Sequence, residues 1–518
     1  MRILNRGSLI ESVSGAIAWG QALSIVRLVL SFVYSIIVIR ALTPEDYGLY
    51  AFLYSILATS GIILSTGFEG VISRFASQFQ ASGESTSLSY LFSELATWRF
   101  SLLILSSLIL FFFSSTIALL FRNPNAEQYI SWLGLLLIAQ NMRMFLNNFH
   151  YALLKIRYAE TIAIFERFIA LSLSGLFLFL FGQNLWAVLS ALLISETSAL
   201  LLLSISAFKY WYGPSLPKHM LNQKSIRSMA FNFWGTDLLT YGLSIQAAVL
   251  LISLLLADNA QIAFYSIGTN LLSQITAVAV SNWKNVPLPA LSQARVSKGD
   301  QGIIQGWQLF LKLFSFALMP VLFFLLFNAD PLVSLLYGEG YVYSARIMQI
   351  SASFFIIALA SGSWSTIGAL YTLDAQNALL RLRIWTGLGN IVLIVILIPL
   401  IGIWGAAIAS PLASSIGNWL EFMLLRRYLD VRIPWRFICF LSLSGLISGA
   451  ASLIIPSTNW FELIVRTGIY GIIFVLLLFI SKPLEIEEAM MARRIVPKLS
   501  YVINLISRAY PKNVIHGV

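Results

Sequence analysis

Apolar segments of roughly 20 residues recur along the whole chain, and they constrain its fold more than any other feature. About 20 consecutive apolar residues are what an α-helix needs to cross the ~30 Å hydrocarbon core of a bilayer. Because these segments are continuous and do not alternate every second residue, they predict helices and not the strands of a transmembrane barrel. We predict fourteen spans, at residues 16–39, 49–72, 96–120, 129–150, 159–181, 185–207, 230–256, 261–283, 308–328, 345–370, 382–400, 403–425, 436–455 and 461–480.

The scarcity of charged residues leads to the same class of protein. Charged residues make up 11% of the chain and hydrophobic residues 58%, whereas a soluble domain has about 25% charged residues. Such a chain cannot cover its surface with water-facing side chains. We therefore predict an all-α integral membrane protein with about fourteen transmembrane helices, in contact with membrane lipids.

The net charge of +11 predicts a membrane topology and not a nucleic-acid partner. The basic residues lie mostly in short loops between apolar segments, and cytoplasmic loops carry an excess of lysine and arginine. If the N-terminus is cytoplasmic, every predicted inner loop is basic, whereas the outer loops and outer helix ends hold only Arg40, Arg122, Arg346 and Arg466. We therefore predict a multi-pass protein of the cytoplasmic (inner) membrane with both termini in the cytoplasm.

A faint internal repeat predicts two similar halves. Three matches share one offset of 215 positions (234 − 19): Trp19-Gly20 with Trp234-Gly235, Tyr50 with Tyr265, and Ser77-Gln78 with Ser292-Gln293. Six predicted spans precede the second copy, so both halves enter the membrane in the same direction. This arrangement implies a pseudo-two-fold axis along the membrane normal, as in one class of transporters.

The repeat and the loop lengths predict five regions. A basic loop with Pro214 and Pro217 separates the two halves and reads as a linker. The regions are an N-terminal six-helix lobe at 1–207, a cytoplasmic linker at 208–228, a C-terminal six-helix lobe at 229–427, two additional transmembrane helices at 428–480, and a basic cytoplasmic tail at 481–518.

The sequence contains no recognisable catalytic or metal-binding motif. It has no phosphate-cradling GxxxxGK[ST] and no HExxH, and its single cysteine, Cys439, and three histidines are scattered along the chain. We therefore predict no catalytic residues, no metal site and no cofactor. Energy for transport would come from an ion gradient, the membrane potential or the substrate's own gradient. The short external loops argue against a membrane-embedded glycosyltransferase or polymerase.

Ionisable residues within the predicted spans are the candidate functional residues, because burying charge in a membrane is costly. Arg27 lies about 11 residues into the first span, ~16 Å from its inner end, and no acidic residue lies one turn away on its own helix. Arg143 and Arg167 lie at a similar depth in the fourth and fifth spans. The acidic candidates are Glu166, Glu196 and Asp237.

Two interpretations of these charges remain open. In the first, the residues satisfy one another inside the helix bundle, with Arg143 paired to Glu166. In the second, Arg27, Arg143 and Arg167 face a water-filled cavity and bind an anionic headgroup, since guanidinium groups suit phosphate. Asp237, Glu166 and Glu196 are then the candidates for coupling transport to a cation. That list of six residues is the predicted site.

Three stretches resemble a known family in order and placement. They are residues 40–50 (Arg-Ala-Leu-Thr-Pro-Glu-Asp-Tyr-Gly-Leu-Tyr), residues 336–341 (Leu-Tyr-Gly-Glu-Gly-Tyr) and residues 397–409 around Pro399 and Trp404. With the predicted spans and the half-repeat, they make the chain similar to the polysaccharide-biosynthesis flippases, the O-antigen branch of the multidrug/oligosaccharidyl-lipid/polysaccharide exporter superfamily. The likeness covers about residues 10–430.

The resemblance implies a flippase that moves a lipid-pyrophosphate-linked oligosaccharide from the cytoplasmic to the outer leaflet by alternating access. Members of the family present cationic cavities to their anionic carrier, which would suit Arg27 and also Arg143 or Arg167. The implied partners are the lipid-linked oligosaccharide and other polysaccharide-assembly proteins. The second half is poor in buried cations, with only Lys312 near a helix end. An ion-coupled multidrug exporter of the same superfamily and a membrane-embedded polysaccharide polymerase are the alternatives.

Overall fold

The protein is almost entirely helical. Its computed structural model describes residues 6–211, 223–280 and 286–481, with most side chains from residue 23 onward. Within these ranges the regular structure consists of α-helices and three short 3-10 helices. The predicted all-α class is therefore confirmed. Most of the predicted linker 208–228 and nearly all of the predicted tail 481–518 lie outside the described residues.

The described ranges contain eighteen α-helices. In chain order they are α1 (Arg6–Ala41), α2 (Pro44–Ser65), α3 (Phe68–Ser82), α4 (Ser85–Phe112), α5 (Ser114–Leu120), α6 (Glu127–Ala152), α7 (Ile156–Phe181), α8 (Leu185–Trp211), α9 (Gln223–Thr240), α10 (Ile245–Leu256), α11 (Asn259–Val280), α12 (Pro287–Tyr337), α13 (Val342–Ala360), α14 (Ser363–Thr372), α15 (Gln376–Ile401), α16 (Ile403–Arg426), α17 (Trp435–Ser452) and α18 (Trp460–Ser481). The 3-10 helices are Pro124–Ala126, Tyr241–Leu243 and Glu339–Tyr341.

The chain forms two compact units, the first ending at Ser266 and the second beginning at Ile267. In the first unit α1 packs along α7, α4 packs along α6, and α8 packs against both α6 and α7. In the same unit α9 and α10 pack against α2 and α3. In the second unit α12 packs against α13, α14 and α17, while α15 packs along α16 and α17 along α18.

The helix boundaries repeat along the chain. α2 and α11 both have 22 residues and begin 215 positions apart (259 − 44), which is the offset that the sequence predicts. The 3-10 helices Pro124–Ala126 and Glu339–Tyr341 share this offset. α7 and α15 both have 26 residues but begin 220 positions apart (376 − 156). The second copy therefore gains residues between the starts of α13 and α15, and the predicted repeated bundles with two extra C-terminal helices are confirmed.

The structure supports a multi-pass membrane fold, but it does not fix the number of spans. Eleven helical segments in the described ranges are long and apolar enough to cross a membrane, and a twelfth is counted if the bent pair Ile226–Leu243 and Ile245–Leu256 is one span. The other two predicted spans, 129–150 and 403–425, correspond to α6 and α16, with 26 and 24 residues. At about 1.5 Å per residue, both exceed the ~30 Å bilayer core. The number of about fourteen stays a prediction.

The predicted span 49–72 is broken in the structure. Thr66 and Gly67, between α2 and α3, have left-handed backbone angles (φ 46° and 68°). A Cβ atom at Gly67 would lie 2.0 Å from the carbonyl oxygen of Ala230 on α9. Glycine is therefore required here both for the backbone angle and for the close approach of α9.

Side chains from two other helices hold the end of α2 at this break. The guanidinium group of Arg99 on α4 donates to the carbonyl of Leu64 at 2.7 Å. The indole N–H of Trp234 on α9 donates to the carbonyl of Ile63 at 2.8 Å. The last carbonyl groups of a helix have no partner within it, so these donors satisfy groups that would otherwise be unpaired in an apolar environment.

The two C-terminal helices are a tightly packed part of the second unit. A Cβ atom at Gly445 on α17 would lie 2.4 Å from the Phe323 ring on α12, and one at Gly449 would lie 2.1 Å from the Phe327 ring. This Gly-x-x-x-Gly spacing lets two membrane helices approach closely. Arg466 on α18 donates to the carbonyl of Phe327 at 3.4 Å. Backbone approach and a side-chain donor together dock α17 and α18 on α12.

Candidate functional site

The first candidate residue, Arg27, is paired across the contact between α1 and α7. Its Nε donates to Oε2 of Glu160 at 3.1 Å. Seven residues further along both helices, the guanidinium carbon of Arg167 lies 5.9 Å from the centre of the Tyr34 ring. The two contacts have the same separation in sequence (160 − 27 = 167 − 34 = 133), so α1 and α7 run side by side in the same direction.

Glu160 holds Arg27 at one nitrogen and leaves the rest of the guanidinium group available. The Glu160 side chain is only 6% exposed, whereas that of Arg27 is 44% exposed. The hydroxyl of Tyr151 donates to the other oxygen of Glu160, Oε1, so both carboxylate oxygens have a partner. The two terminal nitrogens of Arg27 donate to no described residue. Arg27 is therefore fixed in position but keeps unused hydrogen-bond donors.

Arg143 forms the most deeply buried ion pair of the first unit. Its Nε and Nη2 donate to the two carboxylate oxygens of Glu196 on α8, the second at 3.2 Å. Bidentate pairs of this kind are strong and geometrically specific. The predicted partner, Glu166, is wrong: the structure pairs Arg143 with Glu196. With its fork occupied by a carboxylate, Arg143 is less available to a ligand than Arg27.

Glu166 connects the two ion pairs electrostatically. Its Oε2 lies 3.4 Å from Nε of its neighbour Arg167, and it also interacts with the charges of Arg27, Arg143 and Glu196. The other oxygen, Oε1, is buried and accepts no hydrogen bond from any described residue. This oxygen has an unmet need for a proton donor or a cation.

The structure thus brings five of the six predicted residues into one cluster and adds two that the sequence analysis missed. The cluster, here called the arginine–glutamate cluster, consists of Arg27, Arg143, Arg167, Glu160, Glu166, Glu196 and Tyr151. It holds three arginines and three glutamates, so it is formally neutral and not slightly cationic as predicted. The interpretation of Arg27 as an uncompensated cation is wrong, since Glu160 compensates it.

Asp237 does not belong to this cluster. It lies on α9, its side chain is exposed, and it has no hydrogen bond or ion pair with another described residue. α9 packs against α2 and α3, not against α1 or α7. Among the described residues, no group of three or more histidine, cysteine, aspartate or glutamate side chains is placed to hold a metal ion.

The second unit contains a buried ion pair that the sequence analysis also missed. Nε of Arg383 on α15 donates to Oε1 of Glu421 on α16 at 2.9 Å, and Glu421 is buried. The other oxygen of Glu421 accepts no hydrogen bond from a described residue. The second half is therefore less poor in buried cations than Lys312 alone indicates.

Comparison with known proteins places the chain in a family. Residues 37–346 of the 518-residue chain match the family model described as "Polysaccharide biosynthesis protein". The chain belongs to this family. The resemblance inferred from residues 40–50, 336–341 and 397–409 is confirmed. None of the curated proteins matches this family member in sequence.

Solved structures show which fold this polysaccharide biosynthesis family member shares. It is similar to the lipid II flippase MurJ in an inward closed conformation, with a TM-score of 0.70 and 16% identity over 89% of this chain and 98% of that one. An inward-facing multidrug resistance MATE family transporter of the MOP superfamily gives 0.59 and 15%, over 78% and 94% of the two chains. A MOP superfamily transporter from Pyrococcus furiosus gives 0.55 and 14%, over 80% and 95%. At these identities the likeness establishes the fold.

The two residues that the sequence analysis missed in this family member share one signal. Glu160 and Arg167 are seven positions apart on α7, and their partners Arg27 and Tyr34 are seven positions apart on α1. Residues at this spacing lie on one face of a helix. Glu160 was overlooked because it lies at the edge of the predicted span 159–181, where a charged residue reads as a helix end.

Proposed function

We propose that this protein is a flippase that translocates a lipid-pyrophosphate-linked oligosaccharide across the membrane by alternating access. Membership of a polysaccharide biosynthesis family and a fold similar to that of a lipid II flippase support the proposal. The observation that carries it is the half-exposed guanidinium group of Arg27, with two terminal nitrogens that no described residue uses. A pyrophosphate offers several anionic oxygens at the spacing that such a fork recognises.

In this mechanism Glu160 and Tyr151 orient Arg27 and prevent it from binding the headgroup too tightly. The carboxylate of Glu160 stays within hydrogen-bond distance of Nε, so the bound phosphate competes with a permanent negative charge nearby. A flippase needs such moderate affinity, because the headgroup must leave the site on the far side. Arg167, partly exposed beside Tyr34, supplies a second cation, and Arg143 contributes charge from within its pair with Glu196.

Coupling to a cation is proposed for the acidic residues of the same cluster. Glu166 is the foremost candidate, because its Oε1 is buried without a hydrogen-bond donor. Glu196 is held by both nitrogens of Arg143 and would exchange a cation only if that pair opens. Asp237, exposed on α9, is the third candidate. We place the protein in the cytoplasmic membrane with both termini inside, and propose polysaccharide-assembly proteins as its partners.

The proposal is tested by replacing Arg27 in cells that depend on this protein for a surface polysaccharide. Arg27→Ala should abolish the polymer and leave its lipid-linked precursor to accumulate, while the variant remains in the membrane fraction. Arg27→Lys, which keeps the charge but loses the fork, should retain part of the activity. Arg381→Ala, at an exposed arginine near the start of α15, serves as the control. Normal polymer in the Arg27→Ala cells would refute the role of Arg27.

The fold similarity to MATE transporters favours an ion-coupled multidrug exporter as the second candidate. Such a protein would confer drug resistance on a sensitive host and would show no change in surface glycan when deleted. A membrane-embedded polymerase would instead join repeat units when purified and supplied with flipped substrate. Drug-resistance assays and a sugar-transfer assay on the purified protein separate both from the flippase.

A further inference from the structure

One face of α4 is uncovered along most of its length. Glu94, Trp98, Leu105, Leu108 and Phe112 follow one another at intervals of three, four or seven residues, so they lie on the same side of the helix. The four apolar residues are between 47% and 72% exposed. This face is here called the α4 stripe, and the described part of the chain leaves it open to the membrane.

The same face of the repeated helix is covered. With the offset of 215, Leu105, Leu108 and Phe112 correspond to Pro320, Phe323 and Phe327 on α12. Phe323 and Phe327 pack against the glycines of α17, and the hydroxyl of Tyr470 on α18 donates to the carbonyl of Pro320 at 2.6 Å. The repeat thus has a face that takes a covering element in one copy and has none in the other.

A cavity of about 400 Å³ lies at the end of the α4 stripe nearer to Ser85. Its walls are mostly apolar and come from α3, α4 and α9, with Phe68 and Leu91 among them. Two charged residues also line it, Glu94 from α4 and Arg227 from α9. Neither forms an ion pair or a hydrogen bond with another described residue. The cavity therefore presents one unpaired carboxylate and one unpaired guanidinium group beside apolar walls.

We propose that this cavity binds a phospholipid whose headgroup carries both a phosphate and a primary ammonium group, as in phosphatidylethanolamine. The phosphate pairs with Arg227 and the ammonium group donates to Glu94, and an acyl chain lies along the α4 stripe. A quaternary ammonium headgroup has no N–H to donate to Glu94. A headgroup with only negative charge meets repulsion from the same carboxylate. The tryptophan at the rim, Trp98, suits the boundary between headgroups and acyl chains.

The bound lipid would connect α4 to α9. Arg227 lies on the helix whose Ala230 carbonyl closes on Gly67 at the break between α2 and α3. None of the residues of the arginine–glutamate cluster lines this cavity, so the site is separate from the proposed transport site. Its occupant is a lipid of the bilayer and not the transported glycolipid.

The test is competitive lipid binding to the purified full-length protein, read by native mass spectrometry. The protein is incubated with equal amounts of phosphatidylethanolamine, phosphatidylcholine and phosphatidylglycerol that carry identical acyl chains. We expect retention of phosphatidylethanolamine to exceed the other two by about threefold, the effect of one partly exposed charge pair. Glu94→Gln should remove the preference over phosphatidylcholine, and Arg227→Gln should lower retention of all three phospholipids.

Matched substitutions at exposed residues outside the cavity, Glu127→Gln and Arg381→Gln, should leave the preference unchanged. Equal retention of the three lipids by the unmodified protein would overturn the proposal, as would an unaltered preference in Glu94→Gln. If a variant fails to fold, the unmodified protein still gives an answer with successively N-methylated phosphatidylethanolamines. Retention should drop at the trimethyl lipid, and no drop at that step would refute the ammonium–carboxylate contact.

Discussion

The two repeats of this chain have the same helical framework but different chemistry. α7 and α15 are both 26 residues long and 220 positions apart. α7 carries Glu160, Glu166 and Arg167, whereas the corresponding positions of α15 are Leu380, Thr386 and Gly387. The matching of helix boundaries therefore reflects packing, and the buried charges were placed in one copy alone.

The first helices of the two repeats differ in the same way. Arg27 on α1 corresponds to Gly242 in the second repeat (27 + 215), which lies in the bend between α9 and α10. α1 continues as one helix along α7, but the corresponding segment bends by 54° and packs against α2 and α3. The comparison teaches that a repeated framework can keep one helix straight to hold a charged residue and bend its counterpart.

The comparison of buried ion pairs gives the largest expected effect. Arg143→Met leaves Glu196 charged and unpaired inside the first unit, and we expect a loss of about 3–5 kcal/mol in the free energy of unfolding. Arg383→Met in the second unit should cost less, because Arg383 is partly exposed. Denaturant unfolding in detergent measures both. The double variant Arg143→Met/Glu196→Leu should recover most of the loss, and no recovery would show that the pair contributes more than charge balance.

The covered face of α12 gives the next largest effect. Gly449→Leu forces a side chain into the Phe327 ring, which is 2.1 Å from a Cβ atom at this position, and should destabilise the second unit by about 3 kcal/mol. The control is Gly468→Leu on α18, where a Cβ atom meets nothing within 4 Å. Thermal unfolding of the purified variants compares the two. Equal melting temperatures would mean that α17 is not tightly packed on α12.

The contact of α9 with the break between α2 and α3 is expected to have a smaller effect. Gly67 and Gly83 have nearly the same backbone angles (φ 68°, ψ 14° and φ 78°, ψ 11°), but only Gly67 faces another helix closely. Gly83→Ala should cost about 1 kcal/mol from backbone strain alone. Gly67→Ala should cost about 2 kcal/mol, because the carbonyl of Ala230 must also move. Melting temperatures that fall equally would remove the contact with α9 from the account.

The sequence predicted the helices well because each one is encoded locally. A continuous apolar segment fixes where a membrane helix forms, and the offset of 215 predicted the start of α11 from that of α2. The breaks within predicted spans were missed, because they depend on distant side chains. Arg99 and Trp234 hold the end of α2 from two other helices, and nothing in residues 49–72 announces their presence.

The candidate site was predicted in membership but not in pairing. Charged residues in apolar segments are visible one by one, so Arg27, Arg143 and Glu196 were found. Which of them meet depends on how α1, α6, α7 and α8 pack, and the sequence alone does not specify that packing. Glu160, whose burial turns an apparently lone arginine into an oriented one, became recognisable only when α1 and α7 were placed side by side.

The central claim is that Arg27 recognises the anionic headgroup of the transported lipid, and flipping in proteoliposomes tests it most directly. Fluorescently labelled oligosaccharide lipids, one with a pyrophosphate linkage and one with an uncharged linkage, are reconstituted with the protein, and the label becomes accessible to an impermeant quencher as it is flipped. Arg27→Ala should slow exposure of the pyrophosphate lipid by about tenfold or more, the loss of one charge-assisted bond. It should leave the uncharged lipid unaffected. Equal rates for the unmodified protein and the variant, or an equal slowing of both lipids, would contradict the claim.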